Sequence, residues 1–186
     1  MKWRPTFSSR LFPSLKGVAG ALALFGALAS LGACDDDFSG RRQFLCADSD
    51  IFVKHVSPVM EKRCGMLDCH GSLFRPMRLY GETGLRHIAE VNYSGGVATT
   101  AVELQANYVS ICSVEPEKTD QVARDPGGQA VNRMLLVQKA RGQEGHKGGQ
   151  VFNAFDDSDL CVVGWLRGDN EIAVAEACQK ALAKLP

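Results

Sequence analysis

The chain has 186 residues, 45% of them hydrophobic, with 21 basic and 21 acidic residues and no net charge at pH 7. Basic residues neither dominate nor cluster, which argues against a nucleic-acid partner. No Gly-x-Ser-x-Gly elbow, phosphate-binding glycine loop or paired-carboxylate site is present, so the usual hydrolase and nucleotide chemistries lack their residues.

The first segment does not read as folded protein. Lys2, Arg4, Arg10 and Lys16 are basic, no acid precedes Asp35, and Gly17 to Ala33 is small and apolar. That is the charged and then apolar pattern of a secretory leader. At about 1.5 Å per residue the apolar part reaches roughly 25 Å, short of a bilayer core of about 30 Å. The segment ends Leu31-Gly32-Ala33-Cys34. This resembles the lipobox of bacterial lipoproteins, in which the cysteine takes a diacylglycerol and becomes the first residue. The resemblance implies a leader over 1–33, a lipidated Cys34, a tether over 34–45 and a domain over 46–186. It also implies an exported, membrane-anchored protein facing the periplasm or the cell surface.

Six further cysteines follow: Cys46, Cys64, Cys69, Cys112, Cys161 and Cys178. In an exported protein such cysteines normally pair. Asp50 to Arg63 is expected to be a helix capped by Ser49 or Asp50, with Ile51, Phe52, His55, Val59 and Met60 near one face and Pro58 as a kink. Gly71 to Gly96 reads as loop with a short helical turn around Leu85–Ala89. Ala98 to Cys112 is expected to be helical, with Val102, Gln105, Ala106, Val109 and Cys112 on one stripe. Ser113 to Ala130, with Pro116, Pro126 and a Gly pair, reads as loop.

Asn132 is expected to cap a short helix to Lys139, followed by a glycine-rich loop to Gln150. Asp156 to Ser158 open a helix that stops at Gly168, and Asn170 caps the last one. Cys161 and Cys178 lie on these two helices and form a candidate disulfide; Cys46 and Cys112 form the second. No strand alternation of useful length appears. The fold expected is mostly α with long loops, stapled by disulfides.

The sharpest local signal is Arg63-Cys64-Gly65-Met66-Leu67-Asp68-Cys69-His70-Gly71. Cys-x-x-Cys-His is the attachment motif for haem c, in which two thiols bond the vinyl groups and the histidine ligates iron. Here four residues, not two, separate the cysteines. The competing reading is a small Cys64–Cys69 disulfide loop with an incidental His70. Zinc held by Cys64, Cys69 and His70 with His146 or Cys112 is a third possibility, with poor tetrahedral geometry for adjacent Cys-His.

Further stretches extend the pattern: Ser57-Pro58-Val59-Met60 before Arg63-Cys64, then Leu135-Leu136-Val137-Gln138-Lys139, then His146-Lys147-Gly148-Gly149, then Trp165-Leu166-Arg167-Gly168. Together they resemble the cytochrome c-like domains of planctomycete and myxobacterial proteins. The resemblance covers Val53 to Gly168, with an unmatched middle from Asn92 to Gln129. It implies a cytochrome c-like helical domain holding one haem through Cys64 and Cys69, with His70 as proximal iron ligand. It also implies electron transfer to a redox partner protein and not enzymatic catalysis. Such domains take their distal ligand from a loop before the C-terminal helix. No Met-Pro pair exists there, so His146 is the first candidate, with Met77 and Met134 as alternatives. Arg75, Arg78 and Arg86 near Tyr80 are candidates for haem propionates; they are equally explained as solvated loop residues. His55, His87 and Trp165 carry no specific signal and read as core or surface residues. The alternative function is a haem-free, disulfide-stapled structural or interaction lipoprotein on the same scaffold.

Overall fold

A computed structural model describes residues 43–87 and 97–186. The expected leader, Cys34 and most of the expected tether lie outside the described residues, as do Ile88 and Ala89 of the expected short turn. Among the described residues the fold is mostly helical and has no strand. Leu85 sits in an isolated bridge with Tyr80 and not in a helix.

The first helical run has three parts: an α turn Ser49–Ile51, a π turn Phe52–Val56 and helix α1, Ser57–Cys64. Asp48 is the cap, and not Ser49 or Asp50; its carboxylate accepts from the N–H groups of Asp50 and Ile51 at 2.8 and 2.9 Å. Pro58 explains the π turn. It has no N–H, so the ladder cannot continue unchanged, and the Ser57 N–H reaches back to Phe52 O instead. The wider turn keeps Phe52, Val56, Met60 and Cys64 buried together. His55 leaves that face, with Nε2 3.3 Å from Glu171 Oε1.

Beyond α1 the loop folds back on itself through glycines. A Cβ on Gly71 or on Gly84 would lie 1.9 Å from the Gly65 carbonyl oxygen. The backbone contact therefore requires the missing side chains.

Helix α2, Ala101–Cys112, begins at a Thr100/Glu103 capping box. Its orientation corrects the expected stripe. Glu103, Asn107 and Ile111 are buried, while Val102 and Val109 are exposed. The polar residues turn inward because each has a partner. Glu103 grips Arg86 through two bonds of 2.9 and 2.8 Å. Asn107 accepts from the Tyr80 N–H at 2.6 Å and donates to the Tyr80 carbonyl at 2.8 Å. Cys112 is bonded to Cys46, which fixes the end of the helix.

A helix not expected from the sequence, α3, spans Pro116–Arg124. Pro116 stands in its first turn, where a missing N–H costs nothing. Its buried face is Thr119, Asp120 and Val122, and Asp120 accepts from Leu45 N–H at 2.9 Å. A 3₁₀ turn Ala130–Arg133 leads to α4, Leu135–Ala140. Asn132 caps neither; its amide donates to Gln129 at 2.8 Å.

The last two helices follow the sequence closely. α5, Asp157–Arg167, is capped by Asp156 and ends at Gly168 with φ of 79°. α6, Glu171–Ala183, is capped by Asn170. They pack on each other and on the first helical run. Trp165 fills the centre, 4.9 Å from the Phe52 ring, and donates to Asp48 O at 2.7 Å. The Cys161–Cys178 disulfide joins the pair across a sequence separation of 17. Replacing both by alanine is expected to lower stability by about 3 kcal/mol, the chain-entropy value for a loop of that length. Urea unfolding of oxidised wild type and variant checks it. No helix among the described residues is long and apolar enough to cross a membrane.

Candidate functional site

Helix α1 delivers Cys64 at its last residue, and the following turns place the rest of the motif. Cys69 N–H bonds Met66 O at 2.9 Å, and His70 N–H bonds Cys64 O at 2.8 Å. His70 thus sits directly over the helix end. Its ring is fixed from behind: Nδ1 lies 2.9 Å from the Met77 carbonyl. A carbonyl only accepts, so the proton is on Nδ1 and the lone pair on Nε2. Burial pushes the His70 pKa below its ordinary 6.5, the Met77 carbonyl works the other way, and the His146 and Arg75 charges lower it again. The imidazole is neutral at pH 7.

The second histidine comes from the loop after α4. Val151 N–H bonds Ala140 O at 2.8 Å, closing the loop at its base. Lys139 Nζ donates to Gly145 O at 2.8 Å, and Gly142 and Gly149 take φ of 70° and 67° at the turns. Arg141 anchors the base through a bidentate pair with Asp159, at 2.7 and 2.8 Å, and a bond to Asn132. His146 Nδ1 lies 2.9 Å from Gly149 O, so its Nε2 is also the lone-pair nitrogen. A Cβ on Gly148 would meet the His146 ring at 3.3 Å.

The two rings lie 6.0 Å apart, centre to centre, with planes 20° from parallel. An imidazole nitrogen sits about 1.1 Å from its ring centre and binds a metal at about 2.0 Å. Two imidazoles bound on opposite sides of a metal would therefore have ring centres about 6.2 Å apart. The observed 6.0 Å is close to that spacing and also falls within the range of an offset-stacked ring pair, about 4.5–7 Å.

A cleft of about 600 Å³ opens around them. That is within the range of cofactor sites, about 300–1,000 Å³. Cys64, Cys69, His70 and His146 line it, with Met77, Val114, Leu135, Leu136 and Val151 as apolar wall. Arg75, Lys139 and Lys147 supply cations and Asp68 the one acid. Cys64 and Cys69 are free thiols. Burial, then the neighbouring Cys69, push the Cys64 thiol up to about 12, against the weaker pull of Arg63. It is no thiolate nucleophile at neutral pH.

The residues present fit a haem: two thiols, two imidazoles with free Nε2 atoms, an apolar wall and cations for two carboxylates. They do not fit a bare ion as well. Among the described residues no group of three or more His, Cys, Asp or Glu is placed to hold one. Cys112, a candidate fourth zinc ligand, is bonded to Cys46.

The remaining sequence candidates fall elsewhere. Met77 lines the cleft beside His70, whereas Met134 is buried in the core. Arg75 is at the cleft and donates to Cys69 O at 3.3 Å. Arg78 lies on a groove beside α2, and Arg86 is engaged by Glu103, Val97 O and Ala98 O. His87 stands 5.5 Å from the Tyr80 ring, outside the cleft. Sequence reasoning missed Val114, Lys139 and Lys147 as cleft residues. The Leu135-Leu136-x-x-Lys139 spacing carries that signal, since three- and four-residue steps share a helix face. Comparisons with protein-family models, curated proteins and solved structures found no match.

Proposed function

We propose that this chain is a membrane-anchored, c-type cytochrome-like lipoprotein that binds one haem covalently and transfers electrons. The observation that carries the reading is the His70–His146 pair, with ring centres 6.0 Å apart, lining one cleft with two free thiols in a chain whose other described cysteines are paired.

When bound, haem supplies an iron that gains and loses one electron. Cys64 and Cys69 would hold it through thioethers to the vinyl groups. His70 and His146 would ligate the iron through Nε2, each oriented by a carbonyl on Nδ1. Ligation of the iron by both histidines would favour electron transfer over catalysis. Arg75, Lys139 and Lys147 would meet the propionates.

The second reading is a haem-free scaffold, and the two disulfides favour it, because they staple the fold without a cofactor. One experiment separates them. The chain is produced in a host that matures cytochromes, denatured, and assayed for Soret absorbance and haem stain. The wild type is expected to retain both, and the double variant Cys64→Ala, Cys69→Ala to lose at least about nine-tenths of the signal. A wild type without covalent haem but with a Cys64–Cys69 bond ends the cytochrome reading.

A further inference from the structure

The loop that carries the motif has two faces. Asp68, Cys69, His70 and Arg75 turn into the cleft. Met66, Leu67, Leu73 and Phe74 do not line it, and they are exposed by 47, 59, 58 and 94%. A haem held in the cleft therefore leaves them uncovered. Four large apolar side chains within nine consecutive residues, turned to water, form the kind of patch that marks an interaction surface.

The charge around this patch selects the occupant. Lys62 and Arg78, both exposed, bracket it in the sequence, and Asp68 is the one acid from 62 to 78. Exposed aliphatic and aromatic tips among cations match the interface of an anionic bilayer, where apolar side chains enter the acyl boundary and cations meet headgroups. Chain length agrees. The described fold begins at Gln43, whose carbonyl accepts from Arg124 at 3.5 Å near the end of α3. The other end of α3 adjoins the cleft, because Glu115 accepts from the Leu135 N–H and Val114 lines the wall. Nine helical residues span about 13 Å, and the stretch from Cys34 to Arg42 reaches at most about 30 Å.

We infer that the loop Met66–Phe74 is a lipid-contacting surface, which lays the motif side of the domain against the membrane that anchors it. This rests on the lipoprotein reading of Cys34 and deepens it: the surface would present the cleft to a redox partner embedded in the same bilayer.

The test uses the full mature chain, reconstituted in phosphatidylethanolamine and phosphatidylglycerol vesicles doped with a phospholipid carrying a diazirine on its acyl chain. After illumination, adducts are mapped by peptide mass spectrometry. Adduct density on Met66–Phe74 is expected to exceed that at the comparably exposed Phe155 and Ile172 by about fivefold. The double variant Leu73→Glu, Phe74→Glu is expected to lose that excess while keeping its helical circular dichroism. A loop labelled no more than Phe155 and Ile172 overturns the inference and leaves the patch to a protein partner. The N-terminal mass and Soret absorbance of the same sample report on lipidation and haem separately. If Cys34 carries no lipid, the free chain is added to the same vesicles, and loop adducts decide again. Loop adducts without a Soret band support the surface and remove the haem.

Discussion

Replacing His146 by methionine is expected to raise the reduction potential of the haem-loaded protein by on the order of 100 mV, within the ~0.8 V range that axial ligands span. The sign follows from ligand chemistry: a thioether stabilises the reduced iron relative to an imidazole. The substitution is local, because His146 sits on a loop closed at its base by Val151 N–H to Ala140 O and tied to α5 through Arg141 and Asp159. Among the described residues its side chain hydrogen-bonds Gly149, within the loop. Haem content should therefore be unchanged. The check is a spectroelectrochemical titration of both proteins beside haem stain of denatured samples. An unchanged potential with full haem content would show that His146 is not the distal ligand, and Met77, buried beside His70, would be substituted next.

Replacing Glu103 by alanine is expected to destabilise the fold by about 3–5 kcal/mol at pH 7, the usual cost of breaking a buried ion pair from one side. Both side chains are essentially inaccessible to water, at 0% for Arg86 and 1% for Glu103. The carboxylate also accepts from the backbone N–H groups of His87 at 2.8 Å and Thr100 at 2.9 Å and from the Thr100 hydroxyl at 3.0 Å, so the loss falls on these three donors as well as on Arg86. The double variant Arg86→Met, Glu103→Leu is expected to recover much of the loss, since it leaves no buried charge. Chemical denaturation of the three proteins checks both statements.

The pair also fixes an acid sensitivity. Burial alone pushes the Glu103 carboxyl up, but the Arg86 guanidinium and the N–H groups of Thr100 and His87 outweigh it and hold it down to about 2. A carboxyl lower in the folded than in the unfolded chain adds stability that is full above the unfolded value, near 4.5, and lost as pH falls towards 2. The stability gap between wild type and Glu103→Ala should therefore narrow across that window. A gap that stays constant from pH 5 to about 2.5 would place the stabilisation elsewhere.

Local chemistry made some elements legible from the sequence and hid others. The caps at Asp156 and Asn170 and the stop at Gly168 depend on residues within a turn of each other, so α5 and α6 could be read directly. α3 was hidden because its Pro116 reads as a breaker without knowledge of its first-turn position, and its buried face includes Thr119 and Asp120. The rotation of α2 was hidden because an apolar stripe is normally the buried one. Here Arg86 and the Tyr80 backbone, both distant in sequence, give Glu103 and Asn107 better partners inside than water offers.

The cysteines show the same division. Their number, with the export expected from the leader-like segment, suggests pairing, and the structure pairs Cys46 with Cys112 and Cys161 with Cys178 while Cys64 and Cys69 stay free. Residue identity alone determined the helical class, the ends of the last helices and the chemical content of the motif, because periodicity, capping and spacing act over a few residues. Only the tertiary structure decided which face of α2 is buried, that a helix begins at Pro116, and that His146 stands 6.0 Å from His70. These depend on hydrogen bonds and packing between segments far apart in the chain, whose free energies exist only once the whole core has closed.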